Sequence, residues 1–581
     1  MRTGIMEKIS FVLFFLSVVS CGGLDKYPSD KINPDSYFKT AAGLKLYTNS
    51  FYDYLPDGAD IYKTDGELSD YFATASHPPD FLSGTYSAED SDGWDWDELR
   101  NINYFLEHFN NDAIPLSDRN HYEGMARLFR ALFYYKMVKK FGDVPWYEGT
   151  LSSSDPNLYK KQDPRDTVMK HVLEDLDFAC SNMRETKDGT ASTVNKWVAL
   201  AYKARICLFE GTFRKYNTQF GLGGSADGWL EEAASAAKEL MDKGGYSLNT
   251  SGETPYRDLF IKEAVNTDEV ILADNYSSSK ARYNDANWVW TSSTAWVCPS
   301  LTKRFINTFL NIDGSRFTDS PGYDSSVFAD ETSGRDARLA QMIRTPGYEL
   351  LGKEVPPDPG AARTCYQFIK YVQDDNPQFA AARNTNSIPI IRYAEVLLDY
   401  AESMAELGKF SEDIWDVTIR PLRERAGITD ASMPPTIDKY LQSRFFPDIS
   451  DVAILEIRRE RGIELAGEGR RFDDLRRWKE GWLLTRTWDG MYVDSLGKEY
   501  DLNGDGSPDV CFVTKMPDHP AEGVYYYVLS DSFALSHGTY GNIEIYPNVT
   551  KVFDERQYLY PVPASAILLN KNLVQNEGWK D

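Results

Sequence analysis

Two polar segments of the chain contain many large aromatic side chains beside hydrogen-bonding groups. A sugar ring has an apolar face and a rim of hydroxyls, so a binding protein meets it with flat aromatic rings and polar groups at the edge. The segment 80–101 offers Asp80, Tyr86, Trp94 and Trp96. The segment 274–300 offers Tyr276, Arg282, Tyr283, Asn287, Trp288, Trp290 and Trp296. We predict that at least one of these segments binds a glycan.

The same aromatic residues could instead pack the two segments onto the rest of the protein. If Trp288-Val289-Trp290 is a strand, both tryptophans lie on one face of it, which suits either interpretation. Trp94 and Trp96 directly precede a predicted helix, which favours packing for this pair. The sequence leaves both interpretations open.

Residues 501–509 have oxygen-bearing side chains at the spacing of a calcium loop. Positions 1, 3, 5 and 9 are Asp501, Asn503, Asp505 and Asp509. Gly506 follows at position 6, but position 12 is Phe512, where a bidentate Glu is expected. A turn held by Asp and Asn side chains is the alternative. We predict that no cofactor is required and keep a structural calcium ion at this loop as a hypothesis.

The segment 458–477 contains seven arginines and five acidic residues. A phosphate or sulfate site is one interpretation of so many arginines. The opposite charges alternate at helical spacing, however, which favours ion pairs within the protein.

Motifs of catalysis are absent from the sequence. It contains no HExxH, GxSxG or GxxxxGK[ST], and its six histidines are scattered. A glycosidase pair of carboxylates depends on distance in space, which sequence does not show. We predict that the protein is not an enzyme.

The composition indicates a globular protein that does not bind nucleic acid. The 581 residues carry 63 Lys and Arg against 88 Asp and Glu, a net charge of −25, which repels phosphate backbones. Hydrophobic residues make up 42 %, as in a folded domain.

The first residues have the layout of a lipoprotein signal peptide. Arg2 and Lys8 precede an apolar run, residues 11–19, which is too short to span a membrane. Small residues lead into Cys21, which we expect to be lipidated. We therefore predict a signal peptide over 1–20, a lipidated tether over 21–36 and a single domain over 37–581.

Helical periodicity occurs in separate blocks. The helices predicted there must position the two aromatic segments. The blocks are residues 121–141, 164–183, 195–210, 229–243 and 390–408. The last of them resembles a tetratricopeptide helix–turn–helix. We predict a mostly α fold: a tetratricopeptide-like helical-repeat scaffold with irregular loop and short β-hairpin insertions. The helical-repeat part spans about 37–270, and the insertion-rich part about 271–581.

Five stretches, in this order, resemble one family, the SusD/RagB nutrient-binding outer-membrane lipoproteins of Bacteroidetes. They are MARLFRALFYYKMVKKFGDVPW (125–146), YRDLFIKEAVNTDEVILADN (256–275), IPIIRYAEVLLDYAESMAELG (388–408), IRRERGIELAGEGRRFDDLRRW (457–478) and YLYPVPASAILLNKNLVQNEGW (558–579). Together with the lipidation motif they span nearly the whole mature chain.

The resemblance implies four tetratricopeptide-like units and a binding function that leaves the ligand chemically unchanged. Members of this family are anchored in the outer membrane by acyl chains such as palmitate and face the cell exterior. They capture oligosaccharides, or in some branches peptides, and deliver them to a SusC-like TonB-dependent transporter. The ligand contacts of the family lie in variable insertions, so none is assigned here by position. The alternatives are a RagB-like peptide-binding protein, a secreted glycoside hydrolase and a structural or adaptor lipoprotein.

Overall fold

The computed structural model describes residues 37–295, 297–377 and 379–580. The predicted signal peptide (1–20), Cys21 and the tether (21–36) lie outside the described residues, as does Trp296.

The described part of the chain is mostly helical, as predicted. Its α-helices are α1 (Ala41–Thr48), α2 (Gly58–Glu67), α3 (Asp97–His108), α4 (Leu116–Phe141), α5 (Arg165–Asn182), α6 (Lys196–Tyr216), α7 (Ala226–Lys243), α8 (Asp258–Ile261), α9 (Ala286–Thr291), α10 (Lys303–Ile306), α11 (Phe328–Thr332), α12 (Arg338–Met342), α13 (Tyr393–Glu406), α14 (Glu412–Val417), α15 (Ile419–Arg425), α16 (Lys439–Arg444), α17 (Val452–Glu464), α18 (Arg471–Arg477) and α19 (Ala564–Leu569).

The strands are short and form small separate sheets. They are β1 (Phe72–Ala73), β2 (Val270–Asp274), β3 (Ser300–Leu301), β4 (Glu349–Leu350), β5 (Lys353–Glu354), β6 (Ile388–Arg392), β7 (Trp488–Val493), β8 (Glu499–Tyr500), β9 (Val510–Val513), β10 (Tyr525–Val528), β11 (Phe533–Leu535) and β12 (Gly541–Ile545). Antiparallel pairs join β1 to β3, β2 to β6 and β4 to β5. Strands β7, β12 and β11 form one three-stranded sheet, and β8, β9 and β10 form another.

The long helices pack one after another into a stack. Helix α4 packs on α5, α5 on α6, α6 on α7, and α13 on both α7 and α17. Helix α6 is buried all round, because its neighbours in the stack cover every side of it. The stack takes in α13 and α17, so it continues beyond residue 270, where we expected the helical-repeat part to end.

The predicted helical blocks correspond to α4, α5, α6, α7 and α13. Helix α4 ends at Gly142, whose φ of 78° is a conformation that glycine adopts without steric cost. Asn195 caps α6 by accepting hydrogen bonds from the backbone N–H groups of Trp197 and Val198. The block 390–408 is partly wrong, since its first residues belong to β6 and the helix begins at Tyr393. The three isoleucines before Arg392 favour a strand, and Pro389 disfavours the interior of a helix.

The arginines of 458–477 form buried ion pairs, which confirms the intramolecular interpretation. Arg461 reaches Asp399 of α13 with 2.8 Å between nitrogen and oxygen. Arg471 reaches Asp70, between α2 and β1, at 2.6 Å. Because most of these pairs join different elements, they tie the C-terminal helices to the stack rather than merely stabilising one helix.

Two further observations concern the described residues only. Their five cysteines are all free and buried. None of their helices is both long and apolar enough to cross a membrane.

Candidate ligand-binding surface

The second predicted aromatic segment, 274–300, ends at β3, which pairs with β1, a strand just before the first segment, 80–101. Phe72 pairs with Leu301, and Ala73 pairs with Ser300. Beyond the strands, the backbone N–H of Ala75 donates to the Val297 carbonyl at 2.8 Å. The loop after β1 and the loop before β3 therefore form one continuous surface.

The C-terminal insertion adds a row of aromatic rings to this surface. His77 lies beside Tyr546, with ring centroids 4.7 Å apart, and Tyr546 lies 5.9 Å from Phe533. The Tyr546 hydroxyl donates to the Ala75 carbonyl at 3.0 Å, which fixes the ring against the β1 loop. Tyr546 and Phe533 pack against the core but are only half-buried, so part of each residue stays accessible.

Arg363 extends the row and supplies hydrogen-bond donors at its edge. Its guanidinium donates to the Tyr525 hydroxyl at 2.6 Å and lies 5.0 Å from the centre of the Phe533 ring. Its Nε has no partner within the described part of the chain. Gly360 lies between Ser293 and the Tyr525 ring, where an added Cβ would be 3.5 Å from each. We call His77, Arg363, Tyr525, Phe533 and Tyr546 the aromatic surface.

Strained backbone occurs at and beneath the aromatic surface. Tyr546, Cys298 and Cys365 have φ values of 48°, 46° and 66°, in the left-handed region that residues other than glycine rarely adopt. Each such residue costs about 1–3 kcal/mol, and this kind of strain concentrates at functional sites. Burial raises the pKa of Cys298 and that of Cys365, so neither thiol is a ready nucleophile.

This arrangement has the groups that bind a sugar. Flat rings can stack on the apolar faces of sugars, and the guanidinium can donate to their hydroxyls. Among the described residues there is no group of three or more His, Cys, Asp or Glu side chains that could hold a metal ion.

The strand predicted for Trp288 and Trp290 is wrong, because these residues lie in helix α9. At about 100° per residue the two side chains point to nearly opposite sides of the helix. Trp290 is 2 % exposed and packs on Phe368, with ring centroids 4.6 Å apart, and on Phe72 at 5.6 Å. It is a core residue and has no face free for a ligand. Trp288 is half-buried against the core.

The other predicted residues of 274–300 mainly hold this segment in place. Asn287 is fully buried and donates to the Gln373 carbonyl at 3.1 Å, so its amide is not available to a ligand. Tyr276 is buried beneath Arg282, whose guanidinium lies 4.6 Å from the ring centre. Arg282 pairs with Asp274, while Tyr283 is 37 % exposed.

Trp94 and Trp96 lie elsewhere, at the start of α3. The two rings meet edge to face, 5.6 Å apart, and pack on α4. Together with Tyr147, Tyr159 and Leu569 they line an open cavity of about 400 Å³, the Trp94 cavity. Ligand binding by this pair therefore stays a prediction.

The remaining two predicted residues of 80–101 differ in exposure. Tyr86 packs edge-on against Phe81, 5.2 Å away, and donates to the Asp90 carbonyl at 3.2 Å. Asp80 is exposed at the start of a 3-10 helix, Asp80–Leu82. The structure places neither residue against the rings of the aromatic surface.

The calcium-like loop is held by its own backbone. The Asp501 carboxylate accepts from the N–H groups of Gly504 and Gly506 at 2.6 and 2.8 Å. The Asp509 carboxylate accepts from the Leu502 N–H at 2.7 Å, while Asn503 donates to Asp505 at 3.3 Å. These are the contacts of the turn interpretation. Calcium binding here stays a prediction.

The residues of the aromatic surface were not among the predicted site residues. The run Tyr525-Tyr526-Tyr527 was the available signal in the sequence. Phe533, Tyr546 and Arg363 carry no local signal, because only the packing of β10, β11 and β12 against the β1 loop brings them together.

Comparisons with known proteins cover nearly the whole described chain. A SusD family model matches residues 268–579, and a model described as "Starch-binding associating with outer membrane" matches residues 38–200. Two SusD-like proteins of Formosa agariphila, P2 and P38, are each 24 % identical to the chain. P2 aligns over 82 % of this chain and 91 % of its own length, and P38 over 83 % and 94 %.

Solved structures show the same fold. A SusD-like carbohydrate binding protein from Bacteroides fragilis has a TM-score of 0.69 at 21 % identity and covers 93 % of this chain and 100 % of its own. A second SusD-like protein from B. fragilis has a TM-score of 0.68 at 22 % identity, covering 95 % and 100 %. The two matched family regions together include every residue of the aromatic surface.

Proposed function

The chain belongs to the SusD family, and from this premise we propose that it captures oligosaccharides at the cell surface and delivers them to a SusC-like TonB-dependent transporter. The aromatic surface is the observation that carries this proposal. Its rings are fixed by packing and by hydrogen bonds to backbone, so little side-chain entropy is lost when a sugar stacks on them.

The expected affinity suits capture followed by release. Three accessible rings at about 0.5–1.5 kcal/mol each, with one or two hydrogen bonds from Arg363 at about 1–2 kcal/mol each, give a total of roughly 2.5–8.5 kcal/mol. This range corresponds to dissociation constants of about 10 mM to 1 μM. A carrier at the tighter end of that range can load from dilute solution and still release its ligand.

The family description of starch binding and outer-membrane association supports this assignment, as does the carbohydrate-binding relative from B. fragilis. We propose an anchor at Cys21, with the folded domain facing the cell exterior. A Cys21→Ala variant should fail to incorporate labelled palmitate and should leave the membrane fraction. Affinity purification of the tagged chain from detergent-solubilised outer membranes should recover a TonB-dependent transporter.

Calorimetry with a panel of oligosaccharides and peptides tests the binding function. We expect oligosaccharides to bind and the double variant Phe533→Ala/Tyr546→Ala to lose at least tenfold in affinity. Tyr159→Ala in the Trp94 cavity is the matched aromatic control and should bind as the parent does. A loss confined to Tyr159→Ala would move the site to that cavity. Binding of peptides alone, or new reducing ends after incubation with glycans, would contradict the proposal.

A further inference from the structure

Two cationic side chains, those of Arg304 and Lys551, converge on the short stretch of backbone just before β7, and Arg486 within that stretch adds a third cation. Arg304 donates to the Thr487 carbonyl at 3.3 Å, and Lys551 donates to the neighbouring carbonyl of Arg486. We call Arg304, Arg486 and Lys551 the cationic cluster. It combines residues that are far apart in sequence, so its charges meet only in the folded chain.

Aromatic rings support two of the three cations. The Arg486 guanidinium lies 4.6 Å from the centre of the Trp482 ring, and the Lys551 ammonium lies 4.0 Å from that of Trp488. Such contacts hold a cation in place without neutralising it. None of the three residues is fully buried.

The cationic cluster has fewer acidic partners than charges. Arg304 pairs with Asp489 at 3.7 Å. In the described part of the chain, neither Arg486 nor Lys551 has a carboxylate oxygen within 4.0 Å. This local excess of positive charge stands out in a chain whose net charge is −25.

Burial and the positive charge of Arg304 both lower the pKa values of the other two cluster members. Burial, then Arg304, lowers the pKa of Lys551 to about 7. Burial, then Arg304 and the exposed Arg444, lowers the pKa of Arg486. An anion placed among these groups would relieve the repulsion between them. The acidic residues elsewhere on the surface act weakly here, because salt screens charges more than about 8 Å away.

The cationic cluster borders the aromatic surface. Trp488 pairs with Ile545 across β7 and β12, and Tyr546 is the next residue after Ile545. Neighbouring strands lie about 4.8 Å apart. A ligand stacked on Tyr546 would therefore lie within one or two sugar units of the cluster.

We propose that the cationic cluster binds the carboxylate or sulfate group of an acidic oligosaccharide whose sugar rings stack on the aromatic surface. This inference rests on the proposed function and adds the ligand class to it. A neutral glycan would use the aromatic surface alone. An acidic glycan would also gain charge-assisted hydrogen bonds from Arg486 and Lys551, which are stronger than neutral ones.

Calorimetry of the full chain in about 0.15 M salt tests this proposal. The ligands are a uronic acid oligosaccharide, a sulfated oligosaccharide and a neutral one of equal length, and the first two separate carboxylate from sulfate. We expect at least one acidic ligand to bind about tenfold more tightly than the neutral one. Arg486→Gln and Lys551→Gln should each weaken that binding about tenfold, and Lys551→Arg should retain it. Arg420→Gln, which removes a half-buried charge of α15 that pairs with Asp416, should bind as the parent does.

The possible results of these measurements distinguish this inference from the proposed function on which it rests. Neutral and acidic ligands binding equally well, or acidic binding unchanged in both Gln variants, would overturn the inference and leave the proposed function standing. No binding of any oligosaccharide would overturn both. Circular dichroism verifies the fold of each variant, and if Lys551→Gln does not fold, Arg486→Gln and Lys551→Arg decide the question.

Discussion

Glu464 is the most heavily paired carboxylate of the helical stack, and removing its charge should destabilise the fold strongly. It is the last residue of α17 and is fully buried. Its oxygens lie 2.8 Å from Arg338 and 2.5 Å from Arg392, and a third ion pair joins it to Arg425. Burial alone would raise its pKa, but the three guanidinium groups hold it well below the usual value.

The size of the effect follows from these contacts. Glu464→Gln keeps the shape of the side chain but leaves three buried cations short of one negative charge. Hydrogen bonds to charged groups contribute about 1.5–3 kcal/mol each, and the amide would retain part of that. Glu269 and Glu468 still offset some of the arginine charge. We therefore expect a loss of about 3–5 kcal/mol, the range measured when one partner of a buried ion pair is removed.

Equilibrium urea unfolding, followed by tryptophan fluorescence and by circular dichroism, measures this loss. Coincident transitions would justify a two-state analysis. Glu424→Gln, on the exposed side of α15, is the matched control and should stay within about 0.5 kcal/mol of the parent. If Glu464→Gln loses less than about 1 kcal/mol, the buried network is not what holds α17 in place and the reasoning fails.

Three further changes test the packing and the charges. Arg477 overcomes the burial effect and lowers the pKa of Glu402 to about 2, below its unfolded value of about 4.5. The stability that the Glu402 carboxylate contributes is thus complete above about pH 4.5 and is lost as the pH falls towards 2. When stability is measured over this acid range, the Glu402→Gln variant should lose less of it than the parent does. Trp290→Ala should cost about 3–5 kcal/mol in urea unfolding, and a near-neutral result would contradict its core position. Gly142→Ala should lower the melting temperature, because φ is 78° at this position and a Cβ would lie 2.8 Å from a leucine side chain. Gly228→Ala, in an exposed and open position of α7, is the control and should not lower it.

Local patterns predicted the scaffold well. The residues of α4 repeat at helical spacing and end in Gly142, so the helix and its stop depend on neighbours in sequence. The secondary structure of the segment before α13 was harder to predict. Its apolar residues suit a helix as well as a strand, and pairing with β2 decided for the strand.

The candidate site was predicted much less well than the scaffold. Trp288 and Trp290 were expected on one face of a strand, but the segment folds as a helix that buries Trp290. Burial of an aromatic ring depends on what packs against it from elsewhere in the chain, here Phe72 and Phe368. No local spacing contains that information.

The sequence by itself determined the helical class, the resemblance to SusD/RagB proteins and the expectation of ion pairs in 458–477, because helical periodicity and ordered motifs are properties of neighbouring residues. Only the tertiary structure decided which aromatic rings stay accessible and which cations lack partners. The Tyr546 ring meets the His77 ring, and the Lys551 ammonium meets the Arg486 carbonyl, across large separations in sequence. Accessibility and charge balance are sums over everything that surrounds a side chain in space, so they become defined only when the chain has folded.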